Sequence, residues 1–208
     1  MKKKILLFIG FILIFNSCIK KVDRNKKKES TPPPATNVCS DTNNIDNSIH
    51  ISAIKAYNSG DYYKALYLFE KSCAINYTKS CNLLAYFSYS GKIIEENKSK
   101  AFDIYFKSCQ NKDIIGCFNI ANMLRAGEGT EEKNEKLASS LYKSNCRKKH
   151  YKSCFNLAVM YYKGKGVKKN IEKAKKLFQK SCGGGIDVGC KNFYLVENKN
   201  IKYLPNVE

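Results

Sequence analysis

Apolar positions through the middle of this chain recur at two alternating helical signatures. In the first, Ala65, Ala101, Ala138 and Ala174 are each followed three residues later by Leu68, Ile104, Leu141 and Leu177, and four later by Phe69, Tyr105, Tyr142 and Phe178. Offsets of three and four put these side chains on one face of a helix. They predict helices near 61–73, 97–109, 134–146 and 170–182, termed B helices. In the second signature Leu84, Ile120 and Leu157 precede Ala85, Ala121 and Ala158, and Gly91, Gly127 and Gly164 follow six residues on. This predicts A helices near 80–90, 116–126 and 153–163, each stopped by a glycine. An earlier A helix is expected near 45–58, ending at Ser59-Gly60-Asp61, and a last one near 188–198 has no B partner and would cap the stack.

Cysteines set the period. Cys73/Cys81, Cys109/Cys117, Cys146/Cys154 and Cys182/Cys190 are four pairs with eight-residue spacing, and successive pairs begin 36, 37 and 36 residues apart. A supersecondary unit repeated at that period reads as an array of helix pairs. The expected fold is all-α: a right-handed α-solenoid of four helix pairs plus a capping helix over residues 45–198, with 199–208 as a tail. The repeated alanines fall where two helices must approach closely.

The register Cys154-Phe155-Asn156-Leu157-Ala158, Tyr161-Tyr162-Lys163-Gly164-Lys165-Gly166-Val167, then Lys173-Ala174 and Phe178-Gln179-Lys180-Ser181-Cys182 resembles Sel1-like repeats. These are relatives of tetratricopeptide repeats with a longer loop between the helices. The paired cysteines make the chain similar to the Helicobacter cysteine-rich protein family. The first repeat departs from this, because its short Ser59-Gly60-Asp61-Tyr62-Tyr63 turn is closer to an ordinary tetratricopeptide repeat. The resemblance implies a penicillin-binding or slow β-lactamase activity, and ligands like cell-wall sugar-peptide fragments.

Residues eight apart on a straight helix are separated by about 12 Å, whereas a disulfide needs Cα atoms within about 7 Å. Each pair must therefore straddle a turn, from the end of a B helix to the start of the next A helix. Gly183-Gly184-Gly185 and Asn111-Lys112-Asp113 are spacers suited to such turns. Of the 105 pairings open to eight cysteines, repeat symmetry selects Cys73–Cys81, Cys109–Cys117, Cys146–Cys154 and Cys182–Cys190. Zinc would need shorter cysteine spacing or more histidine, and the histidines are His50 and His150 alone. Neither a metal site nor a cofactor is expected. Cys18 and Cys39 stand outside the pairs.

Compartment decides whether those bonds form. Lys2, Lys3 and Lys4 precede an apolar run from Ile5 to Phe15, too short for a bilayer span and suited to an export signal over residues 1–17. Cys18 directly after it resembles a bacterial lipobox, although Phe15 and Asn16 depart from the usual aliphatic and small residues. Cys18 is the expected lipidation site and membrane anchor. Residues 18–44, with Pro32-Pro33-Pro34 and six basic residues between Ile19 and Thr36, read as a tether. The expected location is the cell envelope, the periplasm or the exterior.

Charge adds one feature. The chain carries 37 Lys and Arg against 18 Asp and Glu, and residues 147–180 hold twelve basic residues against Glu172 alone. Such a field favours an anionic partner, meaning lipid phosphate, acidic polysaccharide or an acidic protein surface outside the cytoplasm; no nucleic acid is expected. The alternative is a merely lysine-rich, soluble face.

The chemistry of a serine β-lactamase is hard to place. Ser-x-x-Lys occurs at Ser17–Lys20, Ser52–Lys55 and Ser140–Lys143, while Ser-Asp-Asn and Lys-Thr-Gly do not occur. The leading expectation is an exported repeat scaffold that binds cell-wall fragments or envelope and host proteins, with slow β-lactam hydrolysis as the alternative. The binding groove is expected along the A helices. Asn119 and Asn156, each two residues after a cysteine, match the asparagine of the Asn-Leu-Gly stretch in Sel1-like repeats. Arg125 and Tyr162 share the register eight residues after the cysteine with Tyr89. Leu83 takes the asparagine slot of the preceding repeat and Asn82 is displaced by one. Separately, Glu95-Glu96-Asn97-Lys98-Ser99 resembles an acid-extended glycosylation sequon.

Overall fold

Every B helix opens on an Asx cap. Asp61, Asn97, Asn134 and Asn170 each accept, through a side-chain oxygen, the backbone N–H three residues on, at 2.8 to 3.1 Å. Each such cap contributes about 1 kcal/mol to its helix. The glycosylation-like Asn97 is one of the four. The A helices α3, α5 and α7 end on Gly91, Gly127 and Gly164, all left-handed, with φ of 64°, 77° and 75°. A residue with a Cβ reaches that region only at a cost.

A computed structural model describes residues 42–198. The expected export signal, Cys18, Cys39, all but the last residues of the tether and the 199–208 tail lie outside the described residues. The chain runs α1 (Thr42–Asn58), α2 (Tyr62–Ala74), α3 (Thr78–Ser90), α4 (Lys98–Gln110), α5 (Ile114–Ala126), α6 (Glu135–Arg147), α7 (Tyr151–Lys163), α8 (Ile171–Gly183) and α9 (Asp187–Glu197). Odd-numbered helices are the A helices and even-numbered ones the B helices. There are nine helices and no strands among the described residues. Each helix packs against the next in sequence, and α3 also touches α5. This is an α-solenoid of four pairs closed by α9, and no described helix is long and apolar enough to cross a membrane.

The alanines sit at the helix crossings. Ala101, Ala138 and Ala174 on B helices and Ala85, Ala121 and Ala158 on A helices have no exposed surface. Phe69, Tyr105, Tyr142 and Phe178 fill the space beside them, and three contiguous apolar clusters run along the stack. Each buried large side chain of this kind contributes about 1.5–3 kcal/mol.

Four disulfides join each B helix to the following A helix: Cys73–Cys81, Cys109–Cys117, Cys146–Cys154 and Cys182–Cys190, with Cα separations of 4.4 to 4.7 Å. Closing such a loop restricts the unfolded chain by about 2.5 kcal/mol in the entropic treatment. The turn that brings the cysteines together is the same each time. The third residue after the first cysteine is left-handed: Asn76, Lys112, Lys149 and Gly185, at φ of 65°, 63°, 64° and 82°. The N–H of the next residue, Tyr77, Asp113, His150 or Ile186, then bonds back to the carbonyl five residues earlier at 3.1 to 3.2 Å, which satisfies an orphan carbonyl of the B helix. This turn needs few residues, so α3, α5 and α7 start at Thr78, Ile114 and Tyr151, two residues before the expected 80, 116 and 153.

Beside each disulfide lies a second pair, also eight apart and one residue ahead of the cysteines: Ser72/Ser80, Ser108/Gly116, Asn145/Ser153 and Ser181/Gly189, all buried. A Cβ on Gly116 would stand 2.6 Å from Ser108 Cβ, so the approach is closer than an alanine allows. Ser80 donates to Ser72 at 2.9 Å.

Candidate functional site: the A-helix face

The residues two, five and eight after the second cysteine of each pair share one stripe of an A helix, since offsets of three keep side chains on one face. On α3 the stripe is Leu83, Tyr86 and Tyr89; on α5 it is Asn119, Asn122 and Arg125; on α7 it is Asn156, Val159 and Tyr162.

The polar centre lies between α5, α6 and α7. Tyr142, fully buried on α6, donates its hydroxyl to Asn122 Oδ1 at 2.5 Å. Asn156 Nδ2 donates to the same oxygen at 3.0 Å. Burial holds the Tyr142 phenol above its ordinary pKa, and donors from Arg125 and Asn156 partly offset this by favouring the phenolate. Asn122, Arg125 and Asn156 are half-buried, and Arg125 Nε is buried without a hydrogen-bond partner.

Two of the four expected groove residues, Asn156 and Arg125, therefore meet around Tyr142. Asn119 is half-buried on the α5 stripe but outside this network. Tyr162 sits in the stripe on α7, half-buried, with the Lys169 amine 5.9 Å above its ring. Asn122 and the hydroxyl of Tyr142 were not expected. Asn122 has no counterpart at its register, where α3 carries Tyr86 and α7 carries Val159. Tyr142 occupies the aromatic core position, so a sequence pattern gives no reason to separate it from Phe69 or Phe178.

A second contact ties neighbouring repeats at the glycine end of the stripe. Glu128, in the loop after α5, accepts from Tyr89 at 2.7 Å and from Lys98 at 3.0 Å. These bonds pull the Glu128 carboxyl below its ordinary pKa, the Tyr89 bond most strongly. The displaced Asn82 donates to Asp113 at 2.8 Å, and Asp113 also caps α5 through Gly116 N–H. Asn82 thus locks one repeat to the next.

The serines flagged for catalysis lie elsewhere. Ser52 is exposed and donates to its own helix at Ser48 O, and Ser140 is exposed on α6. Among the described residues, the serines that meet a histidine are Ser80, 2.9 Å from His50, and Ser153, 2.8 Å from His150. Both are fully buried beside a disulfide, where no substrate carbonyl can approach them. Among the described residues no group of three or more His, Cys, Asp or Glu could hold a metal ion.

The basic segment also takes shape. Lys165, Lys168 and Lys169 in the α7–α8 loop and Lys173, Lys176 and Lys180 on α8 are exposed. Lys175 is paired with Glu197, and the Lys173 amine lies 5.4 Å from the Tyr161 ring.

The Sel1 repeat pattern matches residues 57–77, 78–113, 114–148 and 152–185, more than half of the chain. The chain belongs to the Sel1 repeat family, a class of protein-interaction scaffold. The shortest match, 57–77, covers α2 without most of α1, in keeping with the tight turn of the first pair. A protective antigen of uropathogenic Escherichia coli strains displaying an SLR fold superimposes with a TM-score of 0.67 at 16% identity, over 74% of this chain and 34% of that one. A Sel1 repeat protein from Oxalobacter formigenes gives 0.64 at 21% identity, over 70% and 60%. The chain thus spans about a third and three-fifths of the lengths of these two. Helicobacter pylori cysteine rich protein B gives 0.49 at 28% identity, over 59% and 92%. No curated protein matches the sequence. Four structural disulfides fit an oxidising, extracytoplasmic compartment.

Proposed function

We propose that this is an exported scaffold that binds extended ligands along its A-helix face: peptide segments of envelope or host proteins, or sugar-peptide fragments of the cell wall. The observation that carries the reading is the stripe itself. It sets hydrogen-bonding side chains, Asn119, Asn122, Arg125 and Asn156, beside the rings of Tyr86, Tyr89 and Tyr162, on helices held rigid by the cross-links behind them. An extended backbone offers alternating donors and acceptors, which amide side chains read in both senses, and aromatic rings supply contact area at small entropic cost. Export through the 1–17 signal, lipidation at Cys18 and a tether over 18–44 would hold the repeat domain near a membrane. The lysines of 147–180 would add attraction to an anionic neighbour, a contribution that weakens as salt rises.

The test is capture on the immobilised mature protein from two sources, solubilised envelope proteins and a peptidoglycan digest. The wild type is compared with an Asn119→Ala/Asn156→Ala double variant. Retention that falls tenfold or more while the melting temperature moves by only a few degrees supports the reading. Unchanged retention, or joint collapse of binding and stability, overturns it. The competing reading, slow β-lactam hydrolysis, is examined in the same preparation with a chromogenic β-lactam. Turnover abolished by substituting one serine would make the protein a hydrolase.

A further inference from the structure

We propose that the outer side of α8, with the α7–α8 loop before it, is a docking surface for an anionic phospholipid bilayer. Docked there, the scaffold keeps its A-helix stripe turned away from the lipid. This rests on the reading that the chain works beside a membrane, and it names the anionic neighbour as the lipid headgroups themselves.

The case starts from a comparison of the B helices at one register. The residues nine, six and two before the first cysteine of each pair share one side of the helix, since offsets of three and four keep side chains together. On α2 these are Lys64, Tyr67 and Lys71, on α4 Lys100, Asp103 and Lys107, and on α6 Leu137, Ser140 and Ser144. On α8 all three are lysine, Lys173, Lys176 and Lys180, and all three are exposed. The excess is thus local to the last pair and not a uniform property of a lysine-rich chain. The other side of α8 carries Ala174 and Phe178, buried in one cluster with Ala158 of α7 and Val196 of α9. The three lysines therefore point away from α7 and its stripe.

Packing extends this charge at both ends. Lys165, Lys168 and Lys169 are exposed in the loop before α8, and Gly166 seats that loop so close to the Glu135 backbone that a Cβ would overlap it. After α8, Gly184 lies against the Tyr151 ring with no room for a Cβ, which brings this turn close to the basic turn Arg147-Lys148-Lys149. Among the described residues the salt bridges are made by Lys98, Lys100 and Lys175, so the six lysines of this face have no carboxylate partner there. Successive lysines on α8 stand about 5 Å apart along the axis, within a Debye length of about 8 Å, so their fields add.

The kind of cation points to the kind of partner. Bidentate recognition of a single carboxylate or phosphate calls for the planar guanidinium of arginine, whereas lysine is a hydrated point charge on a flexible stem. A row of lysines reads the density of negative charge, which an anionic leaflet presents as a plane of headgroups. Protein interfaces are enriched in aromatic residues and arginine and depleted in lysine. The outer side of α8, which is Glu172, Lys173, Lys176, Gln179 and Lys180, has the reverse composition. It also lacks the rings that anchor in the apolar part of a membrane interface, so the contact is electrostatic and salt releases it.

The test is co-sedimentation of the mature chain, bearing no lipid, with vesicles of phosphatidylcholine alone or with about a quarter phosphatidylglycerol. Wild type is compared with Lys173→Gln/Lys176→Gln/Lys180→Gln on α8 and with Lys64→Gln/Lys71→Gln/Lys107→Gln, which removes the same charge from α2 and α4. All three keep the basic residues of the 18–44 segment, and a thermal melt of each checks the fold. The wild type should bind the anionic vesicles, ignore the neutral ones and let go as salt rises. The α8 variant should bind roughly tenfold or more weakly, and the α2/α4 variant within about twofold of wild type. Equal weakening of both variants would reduce the attraction to net charge and overturn the surface, as would wild-type binding that is indifferent to headgroup charge. Stronger retention of the wild type by an acidic polysaccharide or by polyglutamate than by the anionic vesicles would overturn the lipid assignment in favour of that partner. Capture on the A-helix face is read separately on the immobilised protein, so either reading can fail while the other stands.

Discussion

Tyr142 reaches from the core of α6 to the surface of α5 and gives its hydroxyl proton to Asn122 Oδ1, 2.5 Å away. One side chain thereby belongs to two structures: its ring packs in the apolar spine and its oxygen sets the orientation of the polar face.

Tyr142→Phe should preserve the packing and lose the orientation. A net loss of about 1 kcal/mol is expected, together with weaker ligand capture, read by denaturant unfolding and by retention on the wild-type ligand. The alkaline limb should change too. Burial raises the phenol pKa of Tyr142 in the folded state, so the folded chain holds that proton longer than the unfolded one. Stability from this source is full below about pH 10 and lost as pH rises through the folded value. Tyr142→Phe should make that decline shallower, with the similarly buried Tyr105, also raised, left to account for the remainder.

Mild acid should weaken the fold through its two histidines. His50 and His150 are both lowered, chiefly by burial and then by Lys79 and Lys152 respectively. A lowered histidine means the unfolded chain takes up protons first, so stability is full above about pH 6.5 and falls as pH drops towards the folded values. The Glu128 carboxyl acts in a lower window, lost only as pH falls below its ordinary value near 4.5. Melting temperature should therefore decline between pH 7.5 and 5.5, and His50→Gln/His150→Gln should flatten that step. An unchanged step would assign it to other groups.

Lys112 and Lys149 hold the left-handed turn with a Cβ in place, at φ of 63° and 64°. That conformation costs an L-residue about 1–2 kcal/mol, against about 0.5–1 kcal/mol for the extra freedom glycine has when unfolded. Lys112→Gly and Lys149→Gly should each stabilise the protein by about 0.5–1 kcal/mol, seen as a higher denaturant midpoint. Gly185→Ala, at the same turn with φ of 82°, should act in the opposite direction.

Reduction should proceed in order of burial. Cys146 and Cys154 are buried at 3% and 0% exposure, whereas Cys182 and Cys190 are both half-exposed. Under native conditions with limiting thiol, alkylation and peptide mapping should find Cys182–Cys190 opened first and Cys146–Cys154 last. Each opened bond should lower stability by about 2.5 kcal/mol.

Much of this architecture is legible in the residues because the constraints are repeated. An eight-residue cysteine spacing cannot lie on one helix, so pairing and turn follow together. Ala65 and its three counterparts mark the crossings because no larger side chain fits there. What repetition hides is what occurs once. Asn122 stands where other repeats carry Tyr86 and Val159, and the Tyr142 hydroxyl is added to a ring that the pattern already assigns to the core. The left-handed Lys112 and Lys149 escape notice for another reason: lysine has no preference for that region, and the surrounding hydrogen bonds impose it. The small residues ahead of the cysteines, Ser108/Gly116 among them, carry a readable eight-residue signal that the cysteines overshadow.

The binding face is open to one direct measurement. Hydroxyl-radical footprinting, with and without a captured ligand, reports on aromatic rings spread over both kinds of helix. Tyr86 and Tyr162 lie on the A-helix stripe, while Tyr63, Tyr67 and Phe106 are exposed on α2 and α4. Ligand binding should shield Tyr86 and Tyr162 from oxidation and leave Tyr63, Tyr67 and Phe106 unchanged; shielding of the second group with the first still reactive would contradict the account.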